Sequence, residues 1–342
     1  MAPVTPVASE PLDLLVHGLR VRMGGDWPEV LELLRLDFGW FAEQDPQGDP
    51  EVTVEVARRR PSFERFGQAR PAFVTPRNVV FNLDGVRLVD YGGRALAVHD
   101  RRLDRIEIQG EDEELVHEAA YLCVLSRIGS HLDARGTPRL HALGLAGEGG
   151  ATLVMLPSGG GKTTLALRAL AEDGVRLLSE DTPLLDRRGR AHPFPLRLGV
   201  NEQDAWLLPP GTPTRRLARM EFHPKLLVSV AALAERVERR PQRVANIVVG
   251  RRSLASESTL SPLPRRAAIG PLLREGVIGV GVYQGMEFVL QRGPADVLGQ
   301  AGVGLRRALP CLAALTRARV WSLELGRDGE GGWRALSALV LR

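Results

Sequence analysis

The sequence predicts an α/β protein of two domains, and three observations carry that prediction. Its 342 residues are more than one hydrophobic core usually serves. Segments that alternate in the two-residue rhythm of strands interleave with segments of helical periodicity. At residues 151–167 an apolar strand pattern runs through a glycine-rich turn directly into an amphipathic helix, the punctuation of an α/β unit.

Taken in order, residues 14–23 read as a strand, and 27–41 as a helix through Val30, Leu31, Leu33, Leu34 and Leu36. Val52, Val54 and Val56 alternate as a strand. Between 79 and 108, short apolar runs broken at Asp84-Gly85, Gly92-Gly93 and 100–102 predict an antiparallel meander. Residues 111–132 form a long helix opened by four acids, as the helix dipole favours. The break at 134–138 separates a smaller α/β domain, 1–136, from a second domain, 137–342. In the second domain, 139–145, 151–156 and 175–179 are expected strands, with a helix over 163–172. Leu184-Leu185 and the 187–189 turn predict a hairpin ending near Pro193-Phe194-Pro195. Residues 244–249 and 320–325 follow as strands, and 294–316 as a helix.

Composition excludes several classes. Hydrophobic residues at 44% and charged residues at 25% exclude a mostly disordered chain. No apolar stretch approaches the ~18–20 residues that span a bilayer, and residues 1–15 lack the basic and apolar regions of a signal peptide. Cys123 and Cys311 lie in apolar helical patterns and make neither a disulfide framework nor a zinc cluster. A cytoplasmic protein without a membrane partner is expected. All but two of the 45 basic residues are arginine, and the exceptions are Lys162 and Lys225. A compact ammonium kept at only two positions suggests sites where the planar arginine fork does not fit.

One of those lysines sits in the informative segment. Ser158-Gly159-Gly160-Gly161-Lys162-Thr163-Thr164 follows the strand and opens the helix. Glycines at 159–161 let backbone N–H groups turn inward, and the helix N-terminus adds partial positive charge. Lys162 can reach the β- and γ-phosphates of a nucleotide, and the Thr163 hydroxyl can ligate Mg²⁺. Against the pattern G-x-x-x-x-G-K-[ST], the first glycine position holds Leu156. Glu180 and Asp181 close the next strand, at the sheet edge where α/β proteins bind ligands. One can hold Mg²⁺ and the other can accept a proton from an attacking hydroxyl. His141 lies on the strand expected before the loop strand.

The order His141-Ala142, hairpin, Ser158-Gly-Gly-Gly-Lys-Thr, Ser179-Glu180-Asp181 resembles the HPr kinase/phosphorylase family and its bacterial relatives. That pattern has a histidine followed by a small residue, a G-x-S-G-x-G-K-[ST] loop, and an acidic pair closing the next strand. The 21-residue step from His141 to Lys162 and the proline-rich stretch at 193–196 are similar too. The resemblance is closest over 138–250. Before that, the chain looks like HPr-kinase-related proteins of unknown substrate. The resemblance implies a phosphoenolpyruvate-carboxykinase-like P-loop core, a mixed sheet with flanking helices. Such a core transfers the γ-phosphoryl group of ATP, with Mg²⁺, to a hydroxyl, usually a serine of a protein or peptide. By position, it implies that Ser158 to Thr164 bind phosphates and metal, and that Glu180 is the base. Asp181 falls on the metal side with Thr163, and His141 near the transferred phosphate. Leu156 and Glu180 depart from the family, which has glycine and aspartate there. The segment that serves the phosphorylase reaction is not found, so dephosphorylation is not expected.

Residues 215–252 hold ten basic side chains against three acidic, read as a solvated helix face. Arg243 and Lys225 are the candidates there for stabilising transition-state charge. Without interleaved aromatics the region predicts no nucleic-acid partner. The expectation is therefore an ATP- and Mg²⁺-dependent kinase acting on a protein or peptide, with homo-oligomer formation open. The competing class is a nucleotide-binding regulatory or scaffold module without phosphotransfer.

Overall fold

The computed structural model describes residues 10–219, 222–279, 295–296 and 301–341. The chain is mixed α/β and divides into two units, one built mainly of residues up to His131 and the other mainly of residues from Leu132 onward.

In the first unit, strands β1 (Leu12–Val16), β2 (Leu19–Gly25), β3 (Val52–Arg58), β4 (Arg70–Val74), β5 (Val79–Leu83), β6 (Val86–Asp90), β7 (Ala95–Asp100) and β8 (Arg105–Gly110) make one sheet. Their spatial order is β1-β2-β3-β8-β7-β6-β5-β4. Residues 14–23, expected as one strand, belong to a hairpin. His17 and Gly18 both take positive φ, 49° and 86°, the two-residue turn whose twist suits paired strands. Strands β2, β3 and β8 run parallel, and β8 back to β4 is the antiparallel meander. Leu12, Leu14, Val16, Val21, Met23, Val52, Val54 and Val56 are buried at alternate positions, so one face carries the core. Helix α1 (Pro28–Phe38) begins on proline and buries Val30, Leu31, Leu33, Leu34 and Phe38, and α2 (Glu113–Ala134) is the long acid-opened helix.

In the second unit, β9 (Leu143–Gly147) and β10 (Gly150–Met155) form an antiparallel hairpin, followed by helix α3 (Lys162–Leu170) and β11 (Arg176–Ser179). The short β12 (Leu184–Leu185) and β13 (Arg190–His192) pair antiparallel as expected. Strands β14 (Leu198–Val200), β15 (Thr214–Arg219) and β16 (Phe222–Val228) form a separate small sheet. Then come β17 (Gln242–Arg252), β18 (Thr259–Pro262), helices α4 (Ile269–Leu272) and α5 (Ala301–Arg317), β19 (Arg319–Leu325) and helix α6 (Gly331–Val340). Strand β17 lies parallel to β10 on one side and to β19 on the other. Because β9 is antiparallel to both β10 and β11, those two share a direction. Strands β10, β11, β17 and β19 therefore end at one edge. The central strands are buried on both faces, and β10 is accordingly apolar throughout except Thr152, whose hydroxyl accepts from Asn246 at 3.1 Å.

Two further expectations need correction. The strand expected over 139–145 begins only at Leu143, leaving His141 in a bend before it. The arginine-rich stretch is no helix face. Most of it is strand, in β15, β16 and β17. Of the helix expected over 294–316, α5 covers 301–316, residues 295 and 296 are helical, and residues 294 and 297–300 lie outside the described residues. Among the described residues no helix is long and apolar enough to cross a membrane.

Candidate functional site

The expected site residues converge on the edge where the four strands end. The loop after β10 delivers Gly161 at φ 102° as the residue before α3, a left-handed conformation that costs an L-residue roughly 1–2 kcal/mol. Gly159 is also left-handed, at φ 72°, and a Cβ on Gly160 would stand 2.7 Å from the Pro157 carbonyl. No side chain caps α3, and its first internal bond runs from Leu165 N–H to Gly161 O at 3.0 Å. The N–H groups of Lys162, Thr163 and Thr164 are thus the orphan donors of a helix start. Ser158 lies exposed on the outer side of the bend.

Leu156, the departure from the phosphate-loop pattern, has a local partner. A Cβ on Gly250 of β17 would fall 2.6 Å from Leu156 Cδ2, so the neighbouring strand is hollowed where the loop is filled. Leu156 is buried, and its carbonyl accepts from Lys162 Nζ at 3.1 Å. The side chain at this position packs between strands while the backbone still serves the lysine.

Lys162 is 6% exposed and makes two further contacts, 2.8 Å to His141 Nε2 and 3.2 Å to Asp181 Oδ1. Pairing of Leu143 with Val154 in the β9–β10 hairpin explains why His141 is there: two residues ahead on β9 is two residues on from β10, beside Leu156. Three successive amides anchor the bend. Leu140 N–H donates to Pro183 O, His141 N–H to Glu275 O, and Ala142 N–H to Asp181 O, at 2.9, 3.2 and 2.9 Å. The imidazole Nδ1 lies 2.7 Å from Glu275 Oε2, and Nε2 lies 3.2 Å from Asp181 Oδ1.

These distances fit two proton arrangements. With Nδ1 alone protonated, His141 donates to Glu275 and accepts from the Lys162 ammonium. With both nitrogens protonated, Nε2 donates to Asp181, and Lys162 turns to Asp181 and Leu156. Burial opposes the imidazolium, as does the Lys162 charge. The hydrogen bond and charge of Asp181 and the hydrogen bond of Glu275 outweigh them and hold the ring's pKa above the ordinary histidine value.

The two carboxylates after β11 are driven apart. Burial and the adjacent Asp181 raise the pKa of Glu180, offset in part by the Thr163 hydroxyl, which donates to its Oε1 at 2.5 Å, and by Lys162 and Lys225. Burial also works to raise Asp181, but hydrogen bonds and charge from His141 and Lys162 prevail and hold it below the usual carboxylate range. Though packed on most sides, its side chain keeps 38% of its area open. The Ser179 hydroxyl accepts Thr182 N–H at 3.0 Å and closes the turn that carries both acids.

Both lysines of the chain thus act on Glu180. Lys225 stands on β16 with its stem across Gly199, whose missing Cβ leaves it room at 3.0 Å. Arg243 lies elsewhere. It is at the start of β17, at the opposite edge, where it reaches the Gly149 carbonyl at 3.3 Å.

Sequence reasoning missed three groups. Glu275 lies 134 residues from the histidine it binds. Asp204 accepts from the Thr164 hydroxyl at 3.1 Å, and Arg252 at the end of β17 brings Nη1 within 3.7 Å of where a Gly161 Cβ would be. Only Arg252, at the end of an apolar strand, had a detectable signal. Among the described residues no group of three or more His, Cys, Asp or Glu side chains is arranged to hold a metal. Because the Thr163 hydroxyl gives its hydrogen to Glu180, its lone pairs stay available to a cation.

The arrangement can receive an anion at an uncapped helix start, place an ammonium beside it, and hold two acids of unequal proton affinity nearby. No protein-family model and no curated protein matches this chain.

Proposed function

We propose that the second unit is a P-loop kinase core, similar to phosphoenolpyruvate carboxykinase and HPr kinase, that transfers the γ-phosphoryl group of Mg-ATP to a hydroxyl of a protein or peptide, a serine by the family resemblance. The observation that carries this reading is Lys162, buried beside His141 and Asp181 at the mouth of a left-handed glycine bend.

When bound, Mg-ATP supplies the phosphoryl group and neutralises much of its charge. The residues of the chain do the remainder. Backbone donors at the start of α3 orient the phosphates, and Thr163 with Asp181 would hold the metal. Glu180, with its raised pKa, takes the acceptor's proton, while Asp181 stays ionised and fixes Lys162 and His141. Lys162 presents positive charge where the transferred group gains negative charge, with His141 positioned beside it, and such preorganised charge is commonly the largest catalytic contribution.

The test compares wild type with Lys162→Ala, using calorimetry with Mg-ATP and transfer of labelled γ-phosphate to cell extract or to a peptide from a neighbouring gene. Lys162→Ala is expected to lower transfer at least about 100-fold. Equal labelling by both proteins sinks the assignment, and binding without transfer identifies a nucleotide-dependent regulatory module instead.

A further inference from the structure

Glu275 reaches His141 from two directions, through its carboxylate at Nδ1 and through its backbone carbonyl at the histidine N–H. It is 3% exposed, and its other oxygen accepts from Arg274 Nε at 2.6 Å. It sits in a π-turn, Leu273–Ile278, that continues from α4 and stops at Gly279, φ 74°. A π-turn carries an extra residue and swings a side chain out of helical register, and such turns are frequent at functional sites. The turn is pinned, because a Cβ on Gly276 would stand 2.8 Å from Cys311 Sγ and 3.1 Å from Leu140 Cδ1. A buried acid held this closely contributes little stability beyond what an apolar side chain of equal size would give. Its placement points to a task at the ring.

We propose that Glu275 is a positioning residue that keeps a proton on His141 Nδ1, so that Nε2 is the nitrogen presented to Lys162 and Asp181 at the transfer edge. This deepens the kinase reading and rests on it for the rate effect, while the ring geometry stands by itself. An imidazole without the Glu275 acceptor is free to carry its single proton on Nε2. It then faces the Lys162 ammonium with a second donor, and the contact at 2.8 Å is lost. Arg274 holds the carboxylate in place, and Lys162, Asp181 and Glu275 are the charged groups that face the ring.

The test uses the full chain with Glu275→Met, Glu275→Gln and Glu275→Asp. Nitrogen-15 spectra of labelled histidine at fixed pH read which ring nitrogen is protonated, and transfer kinetics separate kcat from KM. In Glu275→Met the Nδ1-protonated signal of His141 is expected to give way to the Nε2-protonated one. Its kcat should fall about 10- to 100-fold, with KM for Mg-ATP changed less than about twofold. Glu275→Gln keeps an oxygen to accept from Nδ1–H, so it should retain the wild-type ring signal and recover most of the rate. Should Glu275→Met not fold, Glu275→Asp withdraws the acceptor by one methylene and is expected to weaken the Nδ1 signal and the rate together. A wild-type ring signal in the Met or Asp variant, or a Gln variant as impaired as Met, overturns the proposal. If wild type transfers no phosphate, the kinase reading fails, and the spectra alone still decide what Glu275 does.

Discussion

Both units bury a histidine against a carboxylate at 2.7 Å, and the two pairs serve different ends. In the first unit, His117 of α2 meets Asp37 of α1, both side chains fully enclosed between helices that otherwise present Leu33, Leu34, Phe38 and Val116 to the interior. In the second, His141 meets Glu275 at a sheet edge, with Lys162 and a half-open Asp181 on its far side. The hydrogen bond is alike in each. What differs is the continuation. The helix pair is wholly enclosed, whereas the edge pair continues through a second nitrogen to a lysine on a glycine loop. A buried histidine–acid contact is therefore a tie unless its other nitrogen faces charge that a ligand can share.

The most severe way to break this comparison is Asp37→Ala. Removing the acid leaves a wholly buried imidazole without its carboxylate, and a cost of about 3 kcal/mol to the first unit is expected in urea unfolding. Mg-ATP affinity of the folded protein should not move. A change in affinity with intact stability would make the helix pair functional and erase the distinction.

Gly250→Ala sharpens the other side. The new Cβ would meet Leu156 Cδ2 at 2.6 Å and Met155 O at 3.1 Å, so the strand or the loop must shift, at about 2 kcal/mol by thermal denaturation, with weaker Mg-ATP binding. Adding Leu156→Ala should recover part of both. Full additivity of the two substitutions would mean that the glycine does not accommodate the leucine.

What the sequence made legible follows from distance along the chain. The strand–loop–helix at 150–170 is local, so its apolar run, three glycines and single lysine could be read together. The meander of the first unit was legible because alternation and turn glycines repeat within thirty residues. His141 was placed one element wrong. Its apolar neighbours Leu140 and Ala142 imitate a strand, while their amides in fact bond to Pro183 and Asp181. The arginine run misled for a related reason, since charge density carries no periodicity. Glu275 could not be found at all, because a lone acid in an apolar stretch points to no partner, and the π-turn that aims it is a property of packing.

A third histidine–carboxylate contact tests the rule at its weak end. Asp186, at the hairpin of β12 and β13, takes His192 Nε2 at 2.9 Å and Arg190 Nε at 2.8 Å, and also accepts the N–H groups of Arg188 and Arg190. Burial alone would raise this carboxyl, yet the hydrogen bond from His192 and those from Arg190 and Arg188 bring its pKa down to about 2. A carboxylate depressed on folding stabilises the native state above its unfolded pKa, about 3.9, and that contribution fades as pH falls toward 2. Asp186→Asn should therefore destabilise the second unit by on the order of 1–2 kcal/mol at pH 7, and the gap from wild type should close between about pH 4 and pH 2. Urea midpoints across that range measure it. Because Asp186 binds Arg188, Arg190 and His192 of its own hairpin, phosphate transfer by the folded variant should match wild type. A gap that persisted at pH 2 would mean that the carboxylate charge is not what holds the hairpin.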